Sequence, residues 1–199
     1  MFRTHLHPYP RANPNGALQP CTGRSTEPWI DRICELFLIF LTGALVGWVY
    51  EEIFYWITEG LLRNRGVLYG PWLPVYGIGA LVLYPLTPFR KKPVLLFLLG
   101  VGVTGAVEGF VGLLSIHCFG LRLWDYRGEF GNIGGIVCVR SVMTFAAGGL
   151  LLHAQILPAI KQVTNRLGRK FVRNGCAVLA AVLLVDSIFS ILFRMPITY

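Results

Sequence analysis

The chain has 199 residues, of which 54% are hydrophobic and only 14% charged, and its net charge is +8. Soluble domains carry roughly 25% charged residues. A water-soluble globule could not hide this much apolar surface, so composition excludes a soluble single domain, a disordered chain and a disulfide-stapled secreted module.

Residues 1–28 hold Pro8, Pro10, Pro14, Pro20 and Pro28 and no apolar segment. They are expected to form a flexible tail, not a signal peptide. The transmembrane helical domain is expected over 29–199. A membrane-spanning helix needs about 20 mostly apolar residues. Five stretches approach that length: Ile33–Ile57, Pro71–Leu86, Val94–His117, Ile133–Leu157 and Cys176–Phe193. The expected fold is therefore an all-α integral membrane bundle of about five transmembrane helices. The second stretch is short and carries Pro71, Pro74, Gly77 and Gly79. A broken or re-entrant form fits it, because irregular backbone survives in lipid only where protein or water covers it.

Lys and Arg in the connections set orientation. With five spans, twelve of the eighteen fall on the side of the N-terminus, five fall opposite, and Arg140 lies within the fourth stretch. This bias places the N-terminus in the cytoplasm. Basic residues at span ends also attract anionic headgroups, so the +8 does not call for nucleic acid. The five cysteines form no CxxC pair and no metal-ligand spacing. No cofactor is expected.

An ionised group inside lipid costs at least about 2.5–3.5 kcal/mol on insertion scales. Glu51, Glu52, Glu108, Arg140 and Asp186 therefore each need a partner or a task. Counted from the span ends, they share the outer half of the membrane. Glu108 with Arg140 is the sharpest pair, either as a buried ion pair locking two helices or as part of a ligand site. Gly43–Gly47 forms a GxxxG motif in the first span, and Gly105–Gly109 another in the third. Small faces of this kind allow close helix approach. Packing the first span on the third brings Glu51 near Glu108.

Two loops carry further chemistry. The first holds Arg63, Asn64 and Arg65, whose donors suit carboxylate or phosphate, followed by Gly70, Pro71, Pro74 and Tyr76. The second reads Trp124-Asp125-Tyr126-Arg127 and then Asn132-Ile133-Gly134-Gly135. Trp124 and Tyr126 suit the membrane interface. Asp125 is placed to cap a turn or pair with Arg63 or Arg65, and Asn132 to cap the fourth helix. An outward-facing polar cavity lined by Glu51, Asn64, Arg65, Tyr76, Glu108, Trp124, Asp125, Tyr126, Asn132 and Arg140 is the candidate binding site. No catalytic residue is assigned, because no GxSxG, HExxH or phosphate-binding loop is present.

Gly47-Trp48-Val49-Tyr50-Glu51, Asn64-Arg65-Gly66-Val67-Leu68-Tyr69-Gly70-Pro71, Pro74-Val75-Tyr76-Gly77-Ile78-Gly79 and Trp124-Asp125-Tyr126 with Asn132 and Gly135 appear in order. This set resembles the bacterial family described as putative ABC-transporter type IV permeases, over about residues 35–158. Arg127 stands where that family usually has serine, and Phe145-Ala146 where it has Trp-Gly. The resemblance implies a multi-pass permease-like component in a bacterial inner membrane, driven by an ATPase on a separate chain. Its partners would be the lipid bilayer, that nucleotide-binding subunit and other copies of itself. Two other readings compete: a non-transporting membrane partner or assembly factor, and a small membrane enzyme acting on a lipid headgroup.

Overall fold

The computed structural model describes residues 28–60 and 68–193. The expected tail, apart from Pro28, lies outside them. The described residues form helices and no strand. A lone bridge joins Ile133 and Val137.

Helix α1 (Pro28–Glu59) opens on a proline and stops at Gly60, whose φ of 69° is left-handed. Helix α2 (Pro74–Leu83) again starts on a proline and tightens into a 3-10 segment, Tyr84–Phe89, as Pro85 and Pro88 remove two backbone donors. Helix α3 (Pro93–Phe119) ends at left-handed Gly120 in a Schellman turn, Leu121 N donating to Ser115 O at 3.2 Å. Helix α4 (Val139–Leu151) runs through a π-helical turn, Leu152–Ile156, into α5 (Leu157–Leu167). Pro158, which lacks an N–H and crowds the preceding turn, sits just past that widening. Helix α6 is Arg169–Phe193.

Four of these segments are long and apolar enough to cross a membrane: Trp29–Glu59, Pro93–Cys118, Val139–Leu167 and Arg169–Phe193. The fifth apolar segment, Pro74–Phe89, is shorter. Its contacts explain how it fits. Leu73 N donates to Ala44 O at 3.0 Å, and Tyr84 Oη meets Arg32 Nη1 at 2.7 Å. Helix α2 therefore runs antiparallel to α1, from the middle of α1 to its N-terminal end. It is a half-helix, and its first turn lies near mid-depth of the bundle.

The other helices fall into register with these two. Helix α6 starts beside the start of α1, with Arg173 Nε 2.8 Å from Asp31 Oδ1 and Cys176 Sγ 3.9 Å from Cys34 O. The two helices run parallel, which puts Asp186 at the level of Ala44. Helix α3 packs antiparallel on α4: a Cβ at Gly100 would sit 3.2 Å from Ala146 Cα, and one at Gly105 would sit 3.5 Å from Val142 Cγ1. Ile39, Leu83, Leu152 and Leu157 form the buried core where α1, α2 and the π turn meet. Elsewhere large apolar side chains face outward, including Leu98, Phe110, Leu184, Ile191 and Phe193. That distribution is the one a lipid solvent selects.

Two expectations are corrected here. The Gly43–Gly47 face receives α2, not α3: Gly43 lies under Ala80 and Gly47 under the Tyr76 ring. The fourth span begins at Val139, not Ile133, because residues 120–138 are spent on turns.

Candidate functional site

The second loop is a compact plug. Tyr126 N donates to Gly135 O at 2.9 Å, Arg122 Nη1 to Gly134 O at 3.1 Å, and Trp124 Nε1 to Ile136 O at 2.6 Å. Gly134 and Gly135 both take positive φ, which the reversal requires. The loop folds back against the bundle, since Ile136 and Trp124 lie against Gly112, seven residues before the end of α3. Tyr126 thereby reaches the interior, where its Oη donates to Ser141 Oγ at 3.3 Å and burial pushes its phenol upward.

Below the plug lies a polar chamber of about 190 Å³. Tyr50 and Glu51 reach it from α1, Tyr76 from α2, Tyr126 from the plug, and Arg140, Ser141 and Thr144 from α4. Tyr76 Oη donates to Glu51 Oε1 at 2.7 Å, and Tyr50 Oη lies 3.3 Å from Thr144 Oγ1. Phe145 stacks on the Tyr76 ring at 5.2 Å.

The expected Glu108–Arg140 pair does not form. The Arg140 guanidinium donates to both carboxylate oxygens of Glu129, at 3.0 and 3.1 Å, and lies 5.6 Å from the Phe54 ring centroid. Its Nη1 group has no protein partner among the described residues. Glu108 instead accepts from the Ser141 hydroxyl, in a chain running Tyr126, Ser141, Glu108. The reason is the later start of α4. Arg140 is the second residue of that helix, so its long side chain turns up to the plug, while the next residue faces α3.

The remaining expected residues divide. Glu51, Tyr76, Tyr126 and Arg140 line the chamber together. Glu108 stands behind Ser141. Trp124 and Glu108 line a neighbouring apolar pocket of about 360 Å³. Asp125 turns outward and pairs with Arg127 (Nε to Oδ2, 2.7 Å), which holds its carboxyl down at about 2. Asn132 caps a turn within the plug, accepting from Gly135 N at 3.3 Å, whereas Cys138 occupies the helix cap position assigned to it from sequence. Asn64 and Arg65 lie outside the described residues. Ser141, Thr144, Tyr50 and Glu129 were missed. They are ordinary polar residues on apolar helices or in a loop, and only the fold shows which of them face inward.

Asp186 has a separate role. Its carboxylate accepts from Tyr69 N at 3.1 Å, Gly70 N at 3.0 Å and Trp72 Nε1 at 2.6 Å. These bonds anchor the irregular segment before α2 to α6 at mid-depth, satisfying backbone donors that lipid would leave bare.

The sequence family described as putative ABC-transporter type IV matches residues 38–191. The chain belongs to this family. Membership makes it a transport-related membrane protein, in agreement with its apolar helices. Searches among curated proteins and among solved structures gave no match.

Proposed function

We propose that the chain is the permease-like membrane component of a transport system, energised by an ATPase on a separate chain in a bacterial inner membrane, with its N-terminus in the cytoplasm. The observation that carries this reading is the polar chamber beneath the plug. A carboxylate, a guanidinium and several hydroxyls converge where an interrupted helix meets two continuous ones. Interrupted helices of this kind give membrane transporters polar backbone and charge at depth. The chamber's ligand is a small polar or zwitterionic solute or a headgroup of that charge pattern. Its anionic part meets the Arg140 Nη1 donors and its cationic part meets Glu51 Oε2, which has no protein partner among the described residues.

Gentle extraction from the native membrane followed by intact-complex mass spectrometry tests the coupling. A nucleotide-binding subunit in fixed stoichiometry is expected. The chain alone, or only copies of itself, overturns the ATPase-coupled reading. The chamber is tested separately in proteoliposomes holding the intact complex, where Glu51→Gln is expected to lower solute uptake while leaving assembly unchanged.

A further inference from the structure

The apolar pocket beside the chamber holds a carboxylate that the chain does not neutralise. Glu108 Oε1 is taken by Ser141, and Glu108 Oε2 is fully buried with no hydrogen-bond partner. No Lys, Arg or His among the described residues forms a salt bridge with Glu108, and Arg140, the partner expected from the sequence, is committed to Glu129. A charge buried this way is costly, so the carboxyl takes up a proton unless an outside cation neutralises it.

The walls state what kind of ion fits. Three aromatic side chains, Trp124, Tyr126 and Phe145, line the pocket with Glu108, and the rest is mostly valine and isoleucine. The Thr104 hydroxyl, also at the wall, donates to Gly100 O at 2.7 Å. No cluster of three or more metal-ligating side chains occurs among the described residues. An inorganic cation would have to shed its water and find almost no oxygen in return. An organic ammonium would not, because its carbon surface suits apolar walls and aromatic faces attract its charge. The volume of about 360 Å³ lies within the range of small-ligand sites, roughly 300–1,000 Å³. Val75 and Ile78 on α2 and Val107 on α3 line this pocket and are exposed on the bundle's outer surface, which opens it toward lipid.

We propose that this pocket is a binding site for an apolar organic cation of the substituted-ammonium class, which enters between α2 and α3 from the membrane and sets its nitrogen against Glu108. The pocket shares the Tyr126 and Phe145 walls with the polar chamber, but its occupancy does not depend on the transport reading.

The test is equilibrium dialysis of radiolabelled phenyltrimethylammonium against the purified full chain in detergent. Its neutral isostere, tert-butylbenzene, serves as competitor. Saturable binding at one site per chain is expected, with little displacement by the isostere. Glu108→Gln, which keeps an acceptor for Ser141, is expected to weaken binding roughly tenfold or more, and Trp124→Leu about threefold. Ile78→Trp fills the lipid-exposed mouth without disturbing the core and is expected to abolish binding; it decides the matter if Glu108→Gln does not give a cooperative melt. Absence of saturable binding, equal displacement by tert-butylbenzene, or unchanged affinity in Ile78→Trp overturns the proposal. Loss of binding in Glu51→Gln with Glu108→Gln unaffected places the cation in the polar chamber and overturns it as well.

Discussion

Asp125 and Asp186 show how one residue type takes two tasks. Asp125 is solvent-exposed, and its bonds to Arg127 hold its carboxyl at about 2. A depressed carboxyl contributes stability above its unfolded-state value and loses it as pH falls through the folded value. Titration followed by carboxyl NMR is therefore expected to show Asp125 ionised throughout the range from neutral down to about pH 3. Arg127→Ala should move the midpoint up toward the ordinary aspartate range, with little change in the bundle's melting at neutral pH because solvent screens so exposed a pair. Asp186 sits at mid-depth and accepts from two backbone amides and an indole. Asp186→Ala leaves those donors bare, and hydrogen bonds to a charged group are worth about 1.5–3 kcal/mol each. A loss of about 3 kcal/mol or more in detergent unfolding is expected, together with faster hydrogen exchange at Tyr69 and Gly70. Unchanged exchange there would count against the anchor.

At the level of elements, the glycines fix which helices touch. A Cβ at Gly77 would lie 2.7 Å from Phe40 O, a backbone atom that cannot move aside cheaply, and one at Gly43 would lie 2.7 Å from Ala80 Cβ. Gly148 and Gly175 face open space. Gly77→Ala is expected to cost about 1–3 kcal/mol through overpacking. Gly148→Ala should be neutral or stabilise by up to about 1 kcal/mol through helix propensity. Thermal melts of the two variants in the same detergent separate these outcomes. The π turn at Leu152–Ile156 is a second element-level device. It lets His153 reach Gly149 O at 2.8 Å with one ring nitrogen and Thr87 Oγ1 at 3.3 Å with the other. The 3-10 segment after α2 is thereby tied to the long α4–α5 helix.

Across the whole molecule, the helix directions define two faces. The starts of α1, α3 and α6 and the end of α5 share one face. The end of α1, the plug and the end of α6 share the other. Lys161 lies on the first and Gly128 on the second. In a cysteine-free background, a membrane-impermeant thiol reagent applied outside intact cells is expected to label Gly128→Cys and miss Lys161→Cys. The reverse pattern would invert the orientation that the basic residues indicate. The five-stretch reading of the sequence corresponds to four full-length helices and a half-helix, Pro74–Leu83, whose entry at mid-depth is built by Leu73, Gly70 and Asp186.

Hydropathy and proline placement are local properties, so the residues alone determined the helical membrane class, the weakness of the second segment and the motifs of the family. The charged residues at depth were legible too, because any ionised group in an apolar run stands out. Their partners were not. The Glu108–Arg140 pairing assumed a helix from Ile133, and the turns of the plug shifted the helix start by six residues to Val139. That shift turns Arg140 to Glu129 and brings Ser141 to Glu108. The Gly43–Gly47 face could have received any helix, and only packing assigned it to α2. A side chain's direction depends on where its helix begins and which neighbour covers it. Both are settled by contacts between residues far apart in the chain, so the tertiary structure alone decided them.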